Sequence, residues 1–206
     1  MESFVEVQQG SITDADADVL VNASNTSAWL GSGVSGAIRR ACGPGFQASI
    51  TAALTEQWGA EGLAPGAVMI TDAGAHPRAQ NVAHVAVMDY RPGHERDAAP
   101  DKGRIERGYR ARWAALETIP RPALSVALPA LGAGTGGIAL RTTTEIACRT
   151  LLEHRGAQPG SRIARVIFFG YELHEFVNMV HVVRAHFALD ESALDPEVLA
   201  FVQRLD

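Results

Sequence analysis

The sequence predicts a layered α/β protein with a largely parallel or mixed sheet. Short β-branched, apolar runs alternate along the chain with segments of helical period. Two of those runs pass directly into glycine-rich loops that open helices, the arrangement found at the carboxyl edge of such sheets. Its 206 residues, 47% hydrophobic and 20% charged, suffice for one sizeable α/β domain with room for an appendage.

In chain order, "FVEVQQ" (residues 4–9) and "ADVLVNA" (17–23) read as strands, rich in valine and leucine. Helical patterns follow over 35–42 and 46–58. "GAVMITDA" (66–73) and "NVAHVAVMDY" (81–90) are the next strands. Residues 91–103 form the most polar, Pro/Gly-punctuated stretch and read as a surface loop. A helix runs from there to about 116, then a strand over 123–131 and a helix over about 142–154. "RIARVIFFGY" (162–171) is the last strand, and 172–189 is helical. The division expected is one domain over 1–189 and a C-terminal helical extension over 190–206. In that extension Asp195 offers an N-cap, Pro196 the first helical position and Glu197 a first-turn acid. Leu199, Val202 and Leu205 make an apolar stripe, which packs on its own domain or, alternatively, makes a homodimer contact.

Composition narrows the function. A mean hydropathy of +0.01, with no run of membrane-span length and no cleavable signal, argues against a membrane protein. A formal charge of −5 and a pI near 5.8 disfavour general nucleic-acid binding, so an anionic ligand must be held by local geometry. Cys42 and Cys148 read as small apolar positions on helices, which fits a reducing, cytoplasmic setting. His174, His181 and His186 lie along one helix without metal-ligand spacing, and neither a metal nor a cofactor is expected.

The two glycine loops carry the chemistry. In "VNASNTSAWLGSGVSG" a strand crosses Gly31, Ser32 and Gly33 into a helix beginning near Val34 or Ser35. Unpaired N–H groups and the positive dipole end sit there, and bare glycine lets a phosphate approach the backbone. In "SVALPALGAGTGGI" a strand enters Gly132, Ala133, Gly134, Thr135, Gly136, Gly137 and Ile138, a candidate anion-binding nest. Two such loops at strand ends can clasp one diphosphate from both sides. "GAGTGG" also satisfies G-x-G-x-x-G through Gly132, Gly134 and Gly137. The acid that a Rossmann reading wants about twenty residues on is Glu153, however, which falls within a helix. A carboxamide suits the vicinal hydroxyls of a ribose. Asn22 reads equally well as a residue capping its own turn, whereas Asn25, deeper in the loop, is the better placed to face a ligand.

With "NVAHVAVMDYR" between them, these stretches resemble the macro domain, a module that binds ADP-ribose, over residues 5–189. The resemblance implies a three-layer α/β/α sandwich around a mixed, about six-stranded sheet. It implies that residues 31–34 and 132–138 hold the diphosphate, that Asn25 contacts the distal ribose and that Phe169 stacks on adenine. A strand-end phenylalanine before Gly170 also suits that place on its own, as it suits a plain core position. The partner implied is ADP-ribose, free or attached to a macromolecule.

Departures from the family bear on chemistry. Ser11, beside Ile12 in "QGSIT", stands where members usually carry an aspartate that accepts from the adenine amino group; a hydroxyl lacks the charge-assisted part, on the order of a kcal/mol. Hydrolytic members often place an acid and a histidine at the positions of Ser35 and Arg39, and an aromatic at that of Gly136. Another hydrolase type uses a first-loop lysine, and Lys102 is the chain's one lysine. What remains for an ADP-ribosyl hydrolase is a water activated by the ligand's own phosphate, with Asn25 orienting the ribose. Asp89 is the nearest carboxylate that could assist, and it also reads as a structural strand-end acid. A macro-like interaction module of altered nucleotide specificity is the further alternative.

Overall fold

The computed structural model describes residues 4–95 and 98–205. Six strands, β1 (Val5–Gln9), β2 (Val19–Asn25), β3 (Val68–Asp72), β4 (Asn81–Met88), β5 (Leu124–Pro129) and β6 (Ile163–Gly170), form one sheet in the order β1-β6-β5-β2-β4-β3. All neighbours are parallel except β3, which runs antiparallel to β4. The helices are α1 (Gly33–Ala41), α2 (Phe46–Trp58), α3 (Lys102–Leu116), α4 (Leu140–Ala157), α5 (Leu173–Arg184) and α6 (Pro196–Gln203).

Period-two alternation sorts the strands into two cores. Leu20, Val82, Ala127, Ile167 and Phe169 pack with Ile38 of α1 and Phe46 and Ile50 of α2. Val19, Val21, Val126, Val166 and Phe168 point the other way, onto Ile105, Tyr109, Ile146, Leu151 and Met179 of α3, α4 and α5. The result is the three-layer α/β/α sandwich with a mixed six-stranded sheet that the resemblance implies. Among the described residues no helix is long and apolar enough to cross a membrane, and both cysteines are free and buried.

Boundaries differ for local reasons. β2 continues through Asn25 because its pairing with β4 persists across a bulge, to Asn25↔Met88. α3 starts inside the polar stretch, where Asp101 accepts from the Arg104 amide at 2.6 Å and caps it. α5 stops at Arg184, and Phe187 turns back to pack on Phe4 with ring centroids 6.3 Å apart. α6 is capped by Asp195 as expected. It lays Val202, fully buried, against Phe176, Val177 and Val180, with Val198 and Leu205 flanking it. The stripe thus uses Val198, one full turn before Val202, in place of the expected Leu199.

Candidate functional site

Because five strands run parallel, the ends of β1, β6, β5, β2 and β4 share one edge of the sheet. The segments that follow those strands line that edge in the same order. They are the turn at Ser11 and Ile12, Phe169 with Gly170, the loop 130–139, the loop 26–32 and the segment from Asp89 onward.

The first glycine loop is anchored from behind and bare in front. The Asn25 Oδ1 accepts from the Ser27 amide, the Ser27 hydroxyl (2.7 Å) and the Trp29 amide, while its Nδ2 donates to the Trp29 carbonyl at 2.9 Å. Gln47 of α2 accepts from the Leu30 amide at 2.8 Å. Gly31, Ser32 and Gly33 are exposed, and no side chain caps the start of α1. A β-carbon placed on Gly31 or Gly33 meets nothing within 4 Å, so that side of the loop opens onto free space. Gly36 does the opposite: its β-carbon would lie 2.8 Å from the Gly31 carbonyl oxygen, so bare backbone there lets α1 press against the loop.

The second loop is held from beneath by a closed buried set. The Leu131 amide donates to Tyr109 Oη (3.1 Å), the Thr143 hydroxyl donates to the Leu131 carbonyl (2.6 Å), and the Tyr109 hydroxyl therefore donates to Thr143 Oγ1. Its glycines divide by role. Gly132 (φ +76°) and Gly136 are packing positions, whose β-carbons would come within 2.6 Å of Ile105 Cδ1 and of the Gly132 oxygen. Gly134 and Gly137 face open space. This conformation has no room for an aromatic side chain at 136.

Asn22 does not face the edge. It is fully buried, its Oδ1 accepts from the Ser35 hydroxyl at 2.8 Å, and its Nδ2 donates to His84 Nδ1 at 3.2 Å. His84 Nε2 then carries the proton and donates to Thr71 Oγ1 at 3.0 Å. Asn22 thus acts on the first loop through Ser35, tying the first turn of α1 to β2, β4 and β3. Sequence reasoning missed this relay; its signal was one polar residue, His84, inside the apolar run "NVAHVAV". Burial pushes His84 down to about 3, well below the usual imidazole range. The folded protein keeps it neutral while the unfolded chain protonates near 6.5, so the stability it contributes is intact above 6.5 and falls as pH drops toward 3. Denaturant unfolding should show a loss of about 2 kcal/mol between pH 6.5 and 5. His84→Gln should flatten that dependence, and an unchanged slope would show that another group carries it.

At the β1–β6 end of the edge, the Ser11 hydroxyl caps its own turn, bonded to Thr13 Oγ1 at 2.7 Å, and is half-buried. Gly10 (φ +130°) donates to the Gly170 carbonyl at 2.9 Å, joining the ends of β1 and β6. Phe169 lies beside Ile12 in the core that α1 and α2 cover, and is only 6% exposed. At the opposite end Asp89 is buried and paired with Arg91 through bonds of 2.9 and 2.8 Å. Those bonds hold its carboxyl down at about 2, which makes it a structural acid and a poor general base. Among the described residues no cluster of His, Cys, Asp or Glu is gathered for a metal ion.

Known proteins share this architecture. The sequence model of the Macro domain family matches residues 21–147. An O-acetyl-ADP-ribose deacetylase of Cronobacter turicensis is 32% identical over 178 residues, covering 86% of this chain and 94% of its own. A macro domain-containing protein of Xanthomonas axonopodis pv. citri is 33% identical over 144 residues, 69% of this chain and 75% of its own. Among solved structures, the Oceanobacillus iheyensis macrodomain with ADP superposes with a TM-score of 0.72 at 21% identity, covering 88% of this chain and 90% of that one. The Trypanosoma brucei macrodomain in complex with ADP-ribose gives 0.70 at 22% identity, covering 85% and 67%. On sequence and fold alike, the chain belongs to the macro domain family.

Proposed function

We propose that this protein binds ADP-ribose, free or as the ADP-ribosyl group of a macromolecule. The observation that carries the reading is the order of elements along the sheet edge. From β1 to β4 come the edge at Ser11, Ile12 and Phe169, to which this reading assigns the adenine, then the second glycine loop, then Asn25 and the first glycine loop. Four strand spacings of about 4.8 Å make this edge ~19 Å long, the scale of an extended dinucleotide-like ligand. The open faces of Gly31, Gly33 and Gly134 let a diphosphate approach their backbone N–H groups, while the Gly137 amide is already bonded to the Gly134 carbonyl at 3.0 Å. The spare N–H of the Asn25 carboxamide, whose other groups hold the loop, reaches a ribose hydroxyl.

Hydrolysis is the second reading, favoured by relatives named O-acetyl-ADP-ribose deacetylase. Among the described residues no side chain at this edge is poised as its base. Ser35 spends its hydroxyl proton on Asn22 and the Ala23 carbonyl, and Asp89 is locked to Arg91. A water oriented by the ligand's own phosphate would have to serve. The buried, unpaired thiols are consistent with a reducing, cytoplasmic setting for this function.

Calorimetric titration with ADP-ribose, ADP and ribose 5-phosphate tests the binding reading. Micromolar affinity for ADP-ribose, with weaker binding of both fragments, is the expected result. No heat with any of the three would overturn it.

A further inference from the structure

Ala28 is the one non-glycine residue with positive φ (51°) among the described residues, a conformation that disfavours any side chain. Its methyl is fully buried, and the turn it makes sends the next side chain outward: Trp29 is 56% exposed. That exposure is not looseness, because both backbone groups of Trp29 are bonded to the Asn25 carboxamide. A residue whose backbone is bonded to the same turn also exposes a large ring. Tyr90 is 54% exposed, and its amide donates at 3.0 Å to Thr26 Oγ1, on the residue after Asn25. Strained backbone maintained by a dedicated side chain, to hold an indole in water, points to something that the indole touches.

Resting on the ADP-ribose reading, we infer that Trp29 and Tyr90 form a contact surface for the polypeptide that carries the ADP-ribosyl group. Asn25 marks the distal-ribose end of the edge, so a group attached to that ribose leaves the cleft beside these two rings. Free ADP-ribose ends before reaching them. Tryptophan and tyrosine give large contact area at little entropic cost, which suits a peptide backbone and its side chains. A nucleic-acid carrier would need free cations for its phosphates. Among the described residues the arginine next to Tyr90, Arg91, is instead neutralised by Asp89, and the chain carries a charge of −5.

The test compares free ADP-ribose with a synthetic peptide bearing one ADP-ribose through a hydrolysis-resistant link, and with an oligonucleotide bearing the same group. Wild type should bind the peptide at least fivefold tighter than free ADP-ribose. Trp29→Ala should weaken the peptide at least tenfold and leave free ADP-ribose within twofold, Tyr90→Ala should act in the same direction, and Trp29→Phe should restore most of the loss. An unaltered melting temperature shows that each variant is folded. Equal loss for both ligands, no loss for the peptide, or a Trp29 dependence confined to the oligonucleotide would each overturn the inference while leaving ADP-ribose binding in place. If wild type binds none of the three, the ADP-ribose reading itself fails and takes this one with it.

Discussion

Gly33→Glu is expected to abolish measurable ADP-ribose binding, a loss of at least a hundredfold (about 2.7 kcal/mol), while the domain stays folded. Its β-carbon would meet nothing within 4 Å, so the side chain enters open space without a clash. That open space is where the diphosphate is proposed to lie, and the new carboxylate brings like charge to the positive end of α1. The residue is not free of conformational cost. Gly33 has φ +57°, and an L-residue there loses about 1–2 kcal/mol of stability. Gly33→Ala carries the same strain without the charge. It should lower the melting temperature at least as much as the glutamate does, since it lacks the favourable charge at the helix N-terminus, and keep most of the affinity. A glutamate variant that binds within a few-fold of wild type would remove the first loop from the phosphate site. Gly36→Ala probes the same loop from behind, since its methyl would press on the Gly31 carbonyl and shift the loop without touching ligand.

How far this site was legible in the sequence depended on how local each signal is. The two loops could be read because their requirements are local: Gly132 and Gly33 adopt positive φ, and Gly31, Gly134 and Gly137 leave one side of the backbone bare. Strand and helix alternation placed every element of the sheet, for β-branched runs and helical periods are local as well. The relay beneath α1 could not be read, because Asn22 and His84 are 62 residues apart and meet only when β2 pairs with β4. The same holds for Tyr109 and Thr143 under the second loop, which join α3 to α4. In α6 the period allowed two stripes through Val202, and only docking on α5 selects the one through Val198. The exposure of Trp29 depends on the left-handed turn at Ala28, which alanine gives no reason to expect.

Phe169 is a core residue by its burial and, under the proposed function, a ligand contact, and two substitutions separate these roles. The ring is 6% exposed among Ile12, Ile167 and their neighbours, so most of its surface already has protein against it. Phe169→Ala should therefore cost about 3–5 kcal/mol of stability through the cavity it leaves, and that loss alone says nothing about adenine. Phe169→Leu keeps most of the volume and should cost less than about 1.5 kcal/mol. It nevertheless removes the π-face. If the exposed sliver of ring stacks on the base, Phe169→Leu should weaken ADP-ribose and ADP alike by roughly 1–3 kcal/mol and leave ribose 5-phosphate unchanged. Affinity for ADP-ribose equal to that of wild type would make Phe169 a core residue only, and adenine would have to be held by the edge near Ser11 without stacking. In that case the hydroxyl, already bonded to Thr13, offers a weaker hold on the amino group than a carboxylate would. Selectivity for adenine over other bases should then be slight, and a comparison of ADP-ribose with its hypoxanthine analogue would show nearly equal binding.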